Sequence, residues 1–111
     1  MESNRKCTKE ELLLIEFLAK KANYHLDDNW QETIWAHSLT DDEVGSIGIL
    51  NDKNANYTST INYLISDCKF RDIDNVDVVA YLLTDAEGNL NELDLWKCDY
   101  SIINRIPDRF E

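Results

Sequence analysis

The segment Val76-Asp77-Val78-Val79-Ala80-Tyr81-Leu82-Leu83-Thr84 decides the reading of the fold. Val76, Val78, Ala80 and Leu82 fall on one face of an extended chain, and Val79, Tyr81 and Leu83 on the other. Apolar side chains on both faces predict an internal strand over 76–84, covered on both sides. Asp85-Ala86-Glu87-Gly88-Asn89 follows as a turn, with Gly88 where a positive φ is needed. Leu90 to Cys98 is then the antiparallel partner, with Leu93 and Leu95 on one face and Glu92, Asp94 and Trp96 on the other.

Upstream, Asp72 to Asn75 reads as a turn and Thr60 to Arg71 as a further, kinked strand whose first half is ambiguous with helix. Asn51-Asp52-Lys53-Asn54-Ala55-Asn56 is the most loop-like stretch. Thr33 to Leu39 and Gly45 to Leu50 read as a hairpin around a polar turn, with Trp30 to Glu32 as strand or a short helical turn. The N-terminal element is a helix over Thr8 to Tyr24. Thr8 and Glu11 form a capping box, Glu10 and Glu11 face the positive end of the dipole, and Leu12, Ile15, Ala19 and Ala22, widened by Leu14 and Leu18, make the apolar stripe. The tail, Asp99 to Glu111, carries Ile102, Ile103, Ile106 and Pro107 and should dock as a short helical turn and irregular chain. The expected architecture is α+β: one amphipathic helix on a five-stranded, mostly antiparallel meander, forming a single domain over residues 1–111.

The chain has 111 residues, 22 acidic and 11 basic, for a net charge of −11. That charge argues against nucleic acid and anionic membrane as partners. No apolar run is long enough to span a bilayer and the N-terminus lacks a signal-peptide pattern, so a cytoplasmic protein is expected. Cys7, Cys68 and Cys98 are odd in number and lack Cys-x-x-Cys spacing, which predicts thiols, with Cys68 and Cys98 as small core residues. His25 and His37 have no companions at zinc spacing. Asp72-Ile73-Asp74-Asn75-Val76-Asp77 opens like a calcium loop, but Asp77 stands where Gly belongs and Leu83 where Glu belongs. No metal or cofactor is expected. Gly45-Ser46-Ile47-Gly48 lacks nucleophile-elbow spacing, and no phosphate-binding glycine loop occurs.

The acidity is uneven: residues 1–40 are net −2 and residues 41–111 net −9. Asp72, Asp74, Asp77, Asp85, Glu87, Glu92 and Asp94, with Trp96 as an aromatic anchor, make a candidate partner-binding patch for a basic protein. Trp30, Trp35, Tyr57, Tyr63, Tyr81 and Tyr100 are further aromatic candidates. A solvated surface is the plainer explanation of the same charges. Glu92 and Asp94 also sit roughly 6–7 Å apart along a strand, a spacing suited to acid–base work, though any such strand pair has it.

Gly88-Asn89-Leu90-Asn91-Glu92-Leu93-Asp94-Leu95-Trp96-Lys97-Cys98-Asp99-Tyr100-Ser101, with Arg105-Ile106-Pro107, resembles the C-terminal signature of a family of small bacterial proteins of unassigned function. Its pattern is Gly-x-Leu-x-Glu-Leu-Asp-apolar-Trp-Lys-x-Asp-aromatic-Ser. Phe70 to Val76 resembles the family's Phe-x-Asp-x-Asp-Gly-Val turn, with Asn75 in place of Gly, and Gly45-Ser46-Ile47 its Gly-Ser-apolar strand start. The likeness covers mainly residues 44–107. Small acidic proteins of this kind are similar to immunity proteins encoded beside secreted toxins. Three functions follow as expectations: a non-catalytic acidic binding module of the immunity type against a basic, nuclease-like toxin; a small-ligand or enzymatic domain using Glu92 and Asp94 in a pocket; and a homo-oligomer joined through sheet edges.

Overall fold

The computed structural model describes residues 4–58 and 62–110. The elements are α1 (Lys9–Lys21), a single turn α2 (Trp30–Thr33), β1 (Trp35–Ser38), β2 (Ile47–Leu50), β3 (Tyr63–Arg71), β4 (Asp77–Thr84) and β5 (Leu90–Lys97). The fold is α+β: the strands form one five-stranded sheet in the order β1-β2-β5-β4-β3, with every pairing antiparallel. The β1–β2 hairpin is followed by a crossing to the far edge, and the β3-β4-β5 meander returns to close against β2. The expected strand over 60–71 starts at Tyr63; its residues 60 and 61 lie outside the described residues. The kink is a bulge between Leu64 and Ser66.

The helix begins as expected: Thr8 accepts from the Glu11 amide, and Glu11 accepts from the Thr8 amide. Glu11 is nevertheless buried, because both its oxygens also take Arg5, at 2.8 and 3.0 Å. The Arg5 backbone in turn pairs with Ala36 of β1. The helix stops at Lys21, short of Tyr24. Asn23 adopts φ 55° there, and the Tyr24 and Asn23 amides donate back to Ala19 and Lys20. This closure satisfies carbonyls that would otherwise end unpaired.

Leu14, Ile15, Leu18 and Ala19 pack with Ala36, Ile47, Ile49, Phe70, Val78, Ala80, Leu82, Leu93 and Leu95 in one buried cluster. Ile103 and Ile106 join it from the tail, which is irregular and lacks the expected helical turn. Alternation along β4 sends Val78, Ala80, Leu82 and Thr84 into this core and leaves Asp77, Val79, Tyr81 and Leu83 half-buried on the other face. Among the described residues, no helix lies on that second face. It is the open face of the sheet, which the expectation of a strand covered on both sides does not describe.

Two hairpin turns share one construction. Asn75 donates its amide to the Asp72 carbonyl, and the Asp72 amide donates to Val76; Gly88, Asp85 and Asn89 repeat the pattern. The fourth residue of each turn is left-handed, Asn75 at φ 68° and Gly88 at φ 87°. Asn is among the few side chains that tolerate that conformation, so Asn75 can take in one turn the place Gly88 takes in the other.

Candidate functional site

On β5 the side chains of Leu93, Leu95 and Lys97 enter the core, so Glu92, Asp94 and Trp96 stand in a row on the open face. Antiparallel register places Leu83, Tyr81 and Val79 of β4 opposite Glu92, Asp94 and Trp96, and Gly48 of β2 on the far side of Glu92. The row predicted from sequence is therefore assembled, and three further residues organise it.

Tyr57 lies across Gly48. Its ring occupies the space a Cβ at position 48 would need, and it stacks on His37 of β1 with centroids 5.8 Å apart. The Tyr57 hydroxyl donates to Glu92 Oε2 at 2.5 Å. Asn62 Nδ2 donates to the same oxygen at 2.8 Å, and Asn91 Nδ2 donates to Asn62 Oδ1 at 2.5 Å. Buried Asn4 steadies the chain leading to Tyr57 by donating to the Asp52 and Ala55 carbonyls. Burial and the bond to Glu92 push the Tyr57 phenol up to about 12, so it remains a donor.

These donors divide the titration of the carboxylate pair. Partial burial favours a neutral Glu92, but hydrogen bonds from Asp94, Tyr57 and Asn62 outweigh it and hold Glu92 below its ordinary value. Burial, the bond to Glu92 and the charge of Glu92 then lift Asp94 to about 7. Of the two, Asp94 is the carboxyl that holds a proton more readily near neutrality. Among the described residues, no cation forms an ion pair with either carboxylate.

Next along the row, Trp96 is 51 % exposed and Tyr100 is 81 % exposed, their rings 5.8 Å apart. Tyr100 sits at φ 64°, in a turn closed by its amide on the Lys97 carbonyl. Val79, Tyr81, Trp96 and Cys98 line an open hollow of about 250 Å³. Cys98 is exposed here rather than buried as a core residue, because it lies beyond the end of β5; Cys68 is buried as expected. Larger cavities of about 430 Å³ lie elsewhere, one at Thr8, Glu11 and Arg105, another at Tyr24, Trp30 and Asn89.

Of the remaining acids of the expected patch, only Asp77 is on this face, and it is paired. Asp72 is buried, and with Asp74 it holds Lys97 on the core side, at 2.9 and 2.6 Å. A carboxylate enclosed in this way is not available to a partner, which corrects the inclusion of Asp72. Asp77 is flanked by Lys69 and Arg71, at 3.8 and 3.6 Å. Asp85 caps the Glu87 and Asn89 amides within its own turn, and Glu87 is exposed there. The surface of interest narrows to Glu92, Asp94 and Trp96 and gains Tyr57, Asn62 and Tyr100. In the sequence Tyr57 and Tyr100 are only two aromatics among several. Asn62 and the role of Gly48 carry no sequence signal, since both act through chain segments distant in sequence.

Among the described residues, no group of three or more His, Cys, Asp or Glu is arranged to hold a metal ion, and no helix is long and apolar enough to cross a membrane. Ser46, in the Gly-Ser-apolar stretch, serves the sheet. Its hydroxyl accepts from the Leu95 amide at 2.9 Å, extending the join between β2 and β5. The Trp-Lys and Phe-x-Asp-x-Asp stretches meet in the Lys97 ion pairs. No curated protein and no solved structure matches the chain. A family model, a domain of unknown function designated DUF6984, matches residues 4–107, and the chain belongs to that family.

Proposed function

We propose that this protein is a non-catalytic binding module that meets a basic partner protein through the open face of its sheet. The observation that carries this reading is the exposure of Trp96 and Tyr100 side by side, next to the carboxylates Glu92 and Asp94, which no described cation pairs. Large aromatics left in water beside charge are the usual anchors of an interface. The net charge of −11 supports fast association with a positively charged surface. In its fullest form the reading is a bacterial, cytoplasmic immunity-type inhibitor that covers a basic, nuclease-like toxin.

The test is affinity capture from the native host, purification of the basic protein retained at moderate salt, and titration of it against variants. Trp96→Ala weakens binding by about tenfold or more, while Glu16→Gln on the far side of α1 leaves it within about twofold. Equal affinity of wild type and Trp96→Ala overturns the proposal.

A further inference from the structure

We infer that the open face is built to seat one arginine side chain of the partner, its guanidinium on Glu92 and Asp94 and its alkyl stem along Trp96 and Tyr81. This rests on the binding-module reading and specifies the chemistry of its occupant.

Charge is the first support. The open-face cations Lys69 and Arg71 are both engaged with Asp77, and Lys97 is enclosed on the opposite face. Asp67, on the same face, is paired with Lys21, whereas Glu92 and Asp94 form no ion pair among the described residues. Shape is the second. Asp94 stands opposite Tyr81 and two residues from Trp96, and both aromatics line the same open hollow of about 250 Å³. An aromatic hollow whose wall residue Tyr81 stands opposite Asp94 on the neighbouring strand suits a long apolar stem with a cationic head. Rigidity is the third. Tyr57 and Asn62 hold Glu92 from one side, and Gly48 lets the Tyr57 ring lie flat against β2. A carboxylate fixed in this way suits the planar fork of a guanidinium better than the compact head of lysine.

Among the described residues, the groups facing the pair are few. β4 presents Tyr81 and Leu83, and β2 presents Gly48. The segment after β2 presents Tyr57 and Asn62, and β1 presents His37 behind the Tyr57 ring. On β3, Asp67 and Lys69 lie beyond Tyr81 and Val79. An arriving guanidinium therefore meets little competing charge, and favours release of the Asp94 proton. Binding that needs both carboxylates ionised weakens about tenfold between pH ~8 and pH ~6.

The experiment uses the whole chain and two blocked tripeptides, acetyl-Gly-Arg-Gly-amide and its citrulline counterpart, which is uncharged. NMR follows the Asp94 side-chain carbonyl carbon through a pH titration and the Trp96 indole N–H through a peptide titration. The expected result is a fall in the Asp94 midpoint and a shift of the Trp96 signal with the arginine peptide only. In Asp94→Asn, the arginine peptide shifts Trp96 only at about tenfold higher concentration than with wild type at pH ~8, and without the pH dependence. If both peptides move Trp96 equally and Asp94 keeps its midpoint, the face binds but the arginine seat is wrong. If neither signal moves, the arginine seat is also wrong, and the capture experiment with Trp96→Ala judges the binding module independently.

Discussion

Lys97 and Asp72, separated by 25 residues in the chain, form an ion pair of 2.9 Å in which the two side chains are 1 % and 0 % exposed. The pair ties the end of β5 to the β3–β4 turn. Lys97 also donates to the Ile102 carbonyl, and Asp72 accepts from the Asn104 amide, so the tail is fastened at the same point. Removing Lys97 leaves Asp72 charged and enclosed, and removing Asp72 leaves the enclosed Lys97 with Asp74 alone as its counterion, so each single loss is worse than removing both. Asp72→Asn and Lys97→Met are each expected to lower Tm by about 10 °C or more, and the Asp72→Leu/Lys97→Met double variant to lose less than the sum of the two. Thermal unfolding by circular dichroism checks this.

Acid should expose the same pair. Burial by itself would raise Asp72, but the Asn104 amide, Lys97 and the Ile73 amide outweigh it and hold the carboxyl at about 2. A carboxyl lowered in the folded state stabilises the fold above its unfolded value, and this stabilisation is lost as pH falls toward the folded one. Wild type should therefore lose stability between pH ~4 and pH ~2, a loss that is smaller in Asp72→Asn. Urea titrations across that range measure it.

Asp94 has the opposite sign. Its folded value of about 7 lies above that of an ordinary aspartate, so its contribution is complete at acid pH and declines as pH rises toward 7. Asp94→Asn cannot ionise and keeps a donor for Glu92. In thermal melts it should match wild type near pH ~4 and exceed it in Tm by about 2–5 °C near pH ~8, a modest gain because the site is partly solvated.

Gly48 is reserved for the Tyr57 ring. Gly48→Ala forces the ring off β2 and should cost about 1–3 kcal/mol by overpacking. Tyr57→Phe keeps the ring and removes only the hydroxyl. Its expected signature is a rise in the Glu92 titration midpoint, read by NMR, with little change in unfolding midpoint.

The left-handed turn positions separate backbone cost from contact. An added Cβ at Gly88 would touch nothing within 4 Å, yet Gly88→Ala should destabilise by about 1 kcal/mol because φ is 87°. Asn75→Gly removes a side chain from the same conformation and should be neutral to slightly stabilising. Chemical denaturation of the two variants tests the shared construction of the turns.

The local elements are legible in the order of residues alone. Thr8 and Glu11 mark the helix start, the two-residue period of Val78, Ala80 and Leu82 marks β4, and Gly88 marks its hairpin. Each depends on interactions within a few residues, where propensity and periodicity act. The row of Glu92, Asp94 and Trp96 is legible for the same reason, since alternation along one strand is local. Which acids share a surface is a different matter, settled by the folded topology. Asp72 resembles Asp94 in sequence, but one is enclosed with Lys97 and the other stands half-buried on the open face beside Glu92. The crossing after β2 puts β5 beside β2, and with it Gly48 and Tyr57 beside Glu92, whose hydroxyl donor lies 35 residues away. The character of a carboxylate is set by burial and by the donors around it, and those come from parts of the chain that meet only once the sheet has formed.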